Sequence, residues 1–201
     1  LSLSGLNFGW VSMPISIAFL WHSARNPIAS FLWGFFAVLI SHFWLLALHP
    51  LSWLGINDVI SCLIVIGLLI ICSSFGGFLV YIWSKIVDCF WERLDRRGSF
   101  RKTFYVVIVC SCIWGLVEVI LSQSPFFWVG LGVSFLPGDV YFAGISRWIG
   151  GSGLSAAQLI IGWWLLQIFL NFKKHVLPKK LIFFGLISLL SIHLIGWHNL
   201  S

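Results

Sequence analysis

Residues 56–83 form one continuous, predominantly apolar run whose only charged member is Asp58. A bilayer hydrocarbon core about 30 Å thick needs roughly 20 apolar residues, at about 1.5 Å each, to be crossed as a helix. This run is longer than that, so it requires tilt or a partly interfacial end. Five further apolar runs follow the same pattern, over residues 6–21, 28–48, 103–121, 154–171 and 181–197. Pro27, Pro50, Pro125, Pro137 and Pro178 all fall between them. The first run is the shortest. Gly76-Gly77, inside the third, marks a bend or a close helix contact.

Of the 201 residues 60% are hydrophobic and 9% charged, and the mean hydropathy is +1.02. A soluble globular domain of this length does not show such a balance. Unpaired backbone groups cost several kcal/mol each in hydrocarbon, so only helices or a closed barrel can span it. The runs are continuous rather than alternating, which selects helices. The expected fold is therefore an all-α membrane protein, a bundle of about six transmembrane helices within a lipid bilayer. The chain begins at Leu1, as a fragment, an unusual start or a processed product would, and no signal peptide is read there.

The basic residues divide between the connections. Arg25 follows the first run, Lys85, Arg93, Arg96, Arg97, Arg101 and Lys102 follow the third, and Lys173, Lys174, Lys179 and Lys180 follow the fifth. Those connections share one face, and Arg147 alone lies on the other. Short loops rich in Lys and Arg stay in the cytoplasm. Eleven of the twelve basic residues thus predict a cytoplasmic basic loop at 84–102 and both termini on the outer, periplasmic side. Asp88, Glu92 and Asp95 within that loop suit a short interfacial helix. Orientation alone accounts for the net charge of +6, and nothing resembles a base-reading module, so no nucleic-acid partner is expected.

The connection at 122–153 is apolar as well. Pro125, Phe126, Phe127, Trp128, Tyr141, Phe142 and Trp148 alternate with Gly130, Gly132, Gly138, Gly144, Gly150 and Gly151. Such a segment belongs in the outer headgroup layer as a periplasmic interfacial loop, and its length points to function rather than connection. Its later half can instead start the fifth helix early, with a break at Gly150-Gly151.

Glu118 is the one acid in a span interior, about a turn from the outer surface, and an intramembrane carboxylate needs a reason. Bonding the 122–153 loop, contacting a lipid or substrate, and serving an ion path are the candidate roles. The six histidines show no metal-ligand spacing and suit interfacial or helix-bridging positions. Trp21, Trp53, Trp83, Trp128 and Trp197 fall near span ends, as an aromatic belt requires. Cys110 and Cys112 point to nearly opposite sides of a helix and make a poor metal or disulfide pair, and the five cysteines read as small apolar fillers. No metal site and no cofactor is expected. Gly132-Val133-Ser134-Phe135 does not form a nucleophile elbow, because Phe135 and Leu136 fill the wrong places.

Four stretches in order carry a family resemblance: Gly5-Leu6-Asn7-Phe8 with Pro14, then Trp33-Gly34-Phe35-Phe36 with Phe43-Trp44. Trp114-Gly115-Leu116-Val117-Glu118 follows, running into Trp128-Val129-Gly130-Leu131-Gly132-Val133-Ser134, and Gly150-Gly151-Ser152-Gly153-Leu154-Ser155 is last. Together they resemble the membrane domain of apolipoprotein N-acyltransferases, with its W-x-x-x-E helix, its W-x-x-x-G-Y-S loop and its G-G-x-x-G-L-S helix start. Two positions depart from that pattern: Leu121 stands where the family usually has Arg, and Val133 where it has Tyr.

The resemblance implies that the six runs correspond to the second to seventh of the family's eight spans, in the bacterial cytoplasmic (inner) membrane. It implies phospholipid as acyl donor and a lipoprotein as acceptor. The acyl chain passes first to a cysteine of a periplasmic nitrilase-like domain, then to the lipoprotein's α-amine. The catalytic Glu, Lys and Cys of that domain match nothing in these 201 residues, so no catalytic residue is assigned here and a separate periplasmic catalytic domain is the implied partner. By itself the segment is expected to be inactive. Glu118, Trp128, Gly132 and Ser134 are the candidate substrate or lipid contacts, with Trp128 meeting an acyl chain or headgroup.

A small non-catalytic transporter and a lipid-binding or structural membrane protein are the alternatives. A transporter should show internal repeats and polar groups at mid-membrane depth, and neither stands out. For a structural subunit, Gly153-x-x-x-Ala157 permits a close helix contact.

Overall fold

The computed structural model describes residues 9–94, 100–123, 130–135 and 138–200. It is an all-α membrane protein, with no strand among the described residues. The α-helices are α1 (Gly9–Ser23), α2 (Pro27–Ser41), α3 (Asp58–Leu94), α4 (Phe100–Ser122), α5 (Val140–Ala143), α6 (Ser146–Lys173) and α7 (Lys179–Leu200). Of these, α3, α4, α6 and α7 are long and apolar enough to cross a membrane, while α2 is a shorter apolar helix. The chain divides into two compact units, residues 23–88 and the remainder, with one boundary at the end of α1 and the other inside α3.

In the unit of residues 23–88, Asn26 caps α2 by accepting from the amides of Ile28 and Ala29, each at 3.2 Å, with Pro27 in the first helical turn. The α-helix does not fill the apolar run 28–48. It stops at Ser41, and Phe43–Leu48 winds as a tighter 3-10 helix. The last α-helical bond runs from the His42 amide to Val38 O at 2.9 Å, and the same carbonyl also accepts from Ser41 Oγ at 3.1 Å. Against α3 the packing is close. A β-carbon added at Gly34 would sit 2.6 Å from Val80 Cγ2 and 2.7 Å from the Gly76 carbonyl oxygen, so Gly76 serves a close helix contact. Phe31 meets Phe78 edge to face at 5.2 Å. Ser61 Oγ accepts the Leu51 amide at 2.8 Å and lies 2.9 Å from His49 Nδ1, pinning the connection to α3. At the other end Ser84 Oγ donates to Ala24 O at 2.6 Å, and Arg25 pairs with Asp88 at 2.9 Å.

The segment expected as a basic loop at 84–102 is helical at both ends. No Gly or Pro interrupts the sequence between Lys85 and Gly98, and α3 continues to Leu94 before α4 starts at Phe100. Trp83 and Trp21, placed in an aromatic belt by sequence, are instead 3% and 5% exposed. Trp53 and Trp197 do face outward. Among the cysteines Cys110 is buried and Cys72 half-buried, whereas Cys62, Cys89 and Cys112 are exposed, so these three are not core fillers.

In the second unit α4 packs on α6. Val106, Val107, Cys110, Trp114 and Glu118 form its buried stripe, and Leu116 and Ile120 face outward. Helix α1 joins α6 through the Trp21 indole, which donates to Leu159 O at 2.8 Å, and through Ile17 against Gly162. The C-terminus of α6 is closed by His175 at φ 56°, after which the Val176 amide donates to Asn171 O at 3.0 Å. Trp164 then donates to Leu181 O at 3.0 Å, holding α6 to α7.

The second half of the 122–153 connection is largely helical, formed by α5 and the first turns of α6. Within α6, Gly150 has φ 70° and ψ 176°, a break between two helical pieces that favours glycine.

Candidate functional site

Trp114 and Glu118 are one helical turn apart, so both project from the same face of α4. There the Trp114 indole N–H donates to Glu118 Oε1 at 2.7 Å. The backbone amide of Leu131, in the 3-10 helix Leu131–Phe135, donates to the same oxygen at 3.0 Å. Glu118 is only 3% exposed. A buried carboxylate is tolerated when donors converge on it, and hydrogen bonds to an ionised acceptor contribute about 1.5–3 kcal/mol each.

A second tie comes from α6. The Gly132 amide donates to Ser155 Oγ at 2.7 Å. Ser155 follows the break at Gly150, which sets the first full turns of α6 beneath the loop. The fit admits no side chains on the loop glycines. A β-carbon at Gly130 would lie 2.6 Å from Glu118 Oε2, and one at Gly132 would lie 2.6 Å from Gly151 O. The 3-10 helix is thus clasped between the end of α4 and the start of α6.

The rest of the connection is tied to α7. Asp139 caps α5 by accepting the Phe142 amide at 2.9 Å, and its other oxygen lies 2.9 Å from His193 Nε2. The opposite ring nitrogen, Nδ1, is 2.7 Å from Leu189 O, so each ring nitrogen of His193 lies beside an acceptor oxygen. Further on, Asn199 donates to Gly144 O at 3.2 Å and accepts from the Trp148 indole at 3.0 Å. Phe142, Ala143, Ile145 and Leu154 form the buried apolar cluster beneath, with Leu189 and Ile192 of α7 against it.

Of the four candidate contacts read from sequence, the fold brings Glu118 and Gly132 into one clasp. Ser134 lies in the same 3-10 helix, with its side chain outside the description, and Trp128 lies outside the described residues. Sequence reasoning did not single out Ser155, Asp139 or His193. Asp139 three residues before Phe142 is a helix-start signal, whereas nothing local ties Ser155 to Gly132. Among the described residues no group of three His, Cys, Asp or Glu side chains could hold a metal ion. With one oxygen engaged by a ring N–H and an amide, Glu118 acts as a structural acceptor that fixes the loop backbone.

No family model matches the chain, and no solved structure matches it. Curated relatives do. It is 48% identical over 199 residues to the apolipoprotein N-acyltransferase of Prochlorococcus marinus strain SARG, covering 98% of this chain and 39% of that protein. To the protein of the same name from P. marinus subsp. pastoris it is 44% identical over 192 residues, 94% of this chain and 38% of the relative. The Parasynechococcus marenigrum protein of that name is 37% identical over 193 residues, 96% of the chain and 39% of the relative. These relatives therefore match nearly every residue here, while the chain spans about two fifths of their length. On that identity, carried through all the helices described above, the chain belongs to the apolipoprotein N-acyltransferase family.

Proposed function

We propose that these 201 residues form the membrane portion of an apolipoprotein N-acyltransferase and present lipid-anchored substrates to a catalytic domain on the periplasmic face of the bacterial cytoplasmic membrane. The donor is a phospholipid and the acceptor a lipoprotein amine. In this reading α1 and α2 join the four long helices as spans. Each has 15 residues, about 22 Å at 1.5 Å per residue, and the 3-10 helix Phe43–Leu48 lengthens the apolar path after α2. Both termini lie outside, which is the arrangement the distribution of Lys and Arg favours.

The observation that carries the proposal is the clasp at Glu118. A family-matched segment spends a buried carboxylate, a buried indole and a serine on holding one short apolar loop in place. A mere connector has no need of that. Fixed there, the loop forms one wall of the opening through which lipid tails reach the catalytic domain, with Gly132 on the wall; Trp128 and Ser134 are the further substrate-contact candidates. The acyl-thioester chemistry itself belongs to the catalytic domain, so the 201 residues alone transfer no acyl group.

The test is a chimera in which this chain replaces the matching segment of the P. marinus SARG relative, expressed in a strain depleted of its own enzyme. Mass spectrometry of a lipoprotein N-terminus should show the third acyl chain. A chimera that inserts in the membrane yet leaves lipoproteins diacylated refutes the proposal. A reporter fused after Ser201 that fluoresces only in the cytosol refutes the orientation.

A further inference from the structure

The end of α4 opposite Glu118 carries a different feature. Arg93, in the last turn of α3, faces Arg101, Lys102 and Tyr105, in the first turns of α4, across an open cavity of about 260 Å³. That is roughly nine times the ~30 Å³ share of a liquid water, room for a phosphoryl group and part of what it esterifies. Glu118 is sixteen residues from Lys102, about 24 Å along the helix at 1.5 Å per residue, so the cavity is no part of the clasp.

Three cations converge there, and among the described residues none of them forms an ion pair. Arg25, by contrast, is matched by Asp88. Like charges gathered around one space repel unless an anion sits between them. The first-turn amides of α4 add partial positive charge at the same place. Arginine forks fit phosphate oxygens two at a time, and lysine supplies a compact third charge. Tyr105, 58% exposed, is of the type that settles at headgroup depth and brings an O–H donor.

We propose that this cavity is a phosphate site, filled by the headgroup of an anionic phospholipid in the leaflet beside the joined ends of α3 and α4. The ligand is distinct from the acyl donor on the opposite face, and the proposal holds whether or not the acyltransferase reading does. Its function is to fix the ends of two long helices to the membrane surface.

The experiment uses the full chain in nanodiscs of phosphatidylcholine with phosphatidylglycerol, and native mass spectrometry counts the phosphatidylglycerol retained after delipidation. The triple variant R93Q/R101Q/K102Q should lose retention on the order of a hundredfold, given about fivefold for each basic group near an anionic surface. Lys173, Lys179 and Lys180 do not line the cavity, so the control K173Q/K179Q/K180Q, which removes equal charge from another connection, should lose far less retention than the triple variant. R93K/R101K keeps the charge, and so the topology, but loses the forks, and its retention should fall between wild type and the triple variant. Saturable binding of inorganic phosphate to the protein in pure phosphatidylcholine nanodiscs, lost in the triple variant, would keep the phosphate site but overturn the lipid as its source. Equal losses in the cavity and control variants, or no loss in the cavity variant, overturn the site altogether.

Discussion

Replacing Glu118 with alanine removes the acceptor for two donors at once, the Trp114 indole N–H at 2.7 Å and the Leu131 amide at 3.0 Å. Both bonds are at a side chain 3% exposed, so water does not readily substitute. Each stranded donor costs about 1–3 kcal/mol, which puts the local loss at about 2–6 kcal/mol. The loop retains its tie from Gly132 to Ser155, so this loss opens the 3-10 helix rather than unfolding the bundle. At about 1.4 kcal/mol per factor of ten, hydrogen exchange at the Leu131 amide should accelerate by at least about 25-fold, and amides in the middle of α4 should not follow. Glu118→Gln keeps an acceptor oxygen for both donors and loses only charge assistance, about 1 kcal/mol per bond, so its exchange should lie between. Exchange mass spectrometry of the 130–135 peptide distinguishes the three proteins. An unchanged Leu131 amide in Glu118→Ala would mean that the carboxylate does not hold the loop, and the role given to the clasp would fall with it.

Two other perturbations separate structural causes. Gly34→Ala should destabilise residues 23–88 by about 1–3 kcal/mol, because the new methyl would meet the Gly76 carbonyl oxygen at 2.7 Å; Gly67→Ala, with open space around it, should leave the thermal midpoint unchanged or raise it, and equal effects would refute the close crossing. Asp139→Ala should speed exchange at the Phe142 amide by about fivefold, the loss of a cap worth about 1 kcal/mol, whereas Asp139→Asn keeps the capping oxygen at that amide and should stay within about twofold.

Much of this was legible along the chain. Apolar run length marked the long helices, Pro27 fell between the first two runs, and Gly150-Gly151 marked the break in α6. These are local effects of solvation and backbone freedom, and sequence records them directly. The end of α2 was not legible: the α-helical ladder closes with the His42 amide on Val38 O, and the rest of the apolar run winds as a 3-10 helix. Tryptophan near a span end was equally ambiguous. Trp21 and Trp53 look alike in sequence, yet one donates to Leu159 within the bundle and the other is 74% exposed. Composition has no means of telling which face of a helix will find a partner.

At the candidate site the division is clear. The spacing of Trp114 and Glu118 put both on one face of α4, and the cost of a carboxylate in hydrocarbon demanded donors for it. Family resemblance joined that helix to the following glycine loop. Which donors arrive, however, depends on chain brought from elsewhere: the Leu131 amide across thirteen residues and Ser155 from the far side of a helix break. The Asp139–His193 pair spans 54 residues. The one-dimensional pattern determined that this chain lies in lipid as helices, because hydropathy and backbone hydrogen bonding act residue by residue. Only the tertiary structure decided what its few buried polar groups hold together, because a hydrogen bond needs both partners in place and the sequence names each of them separately.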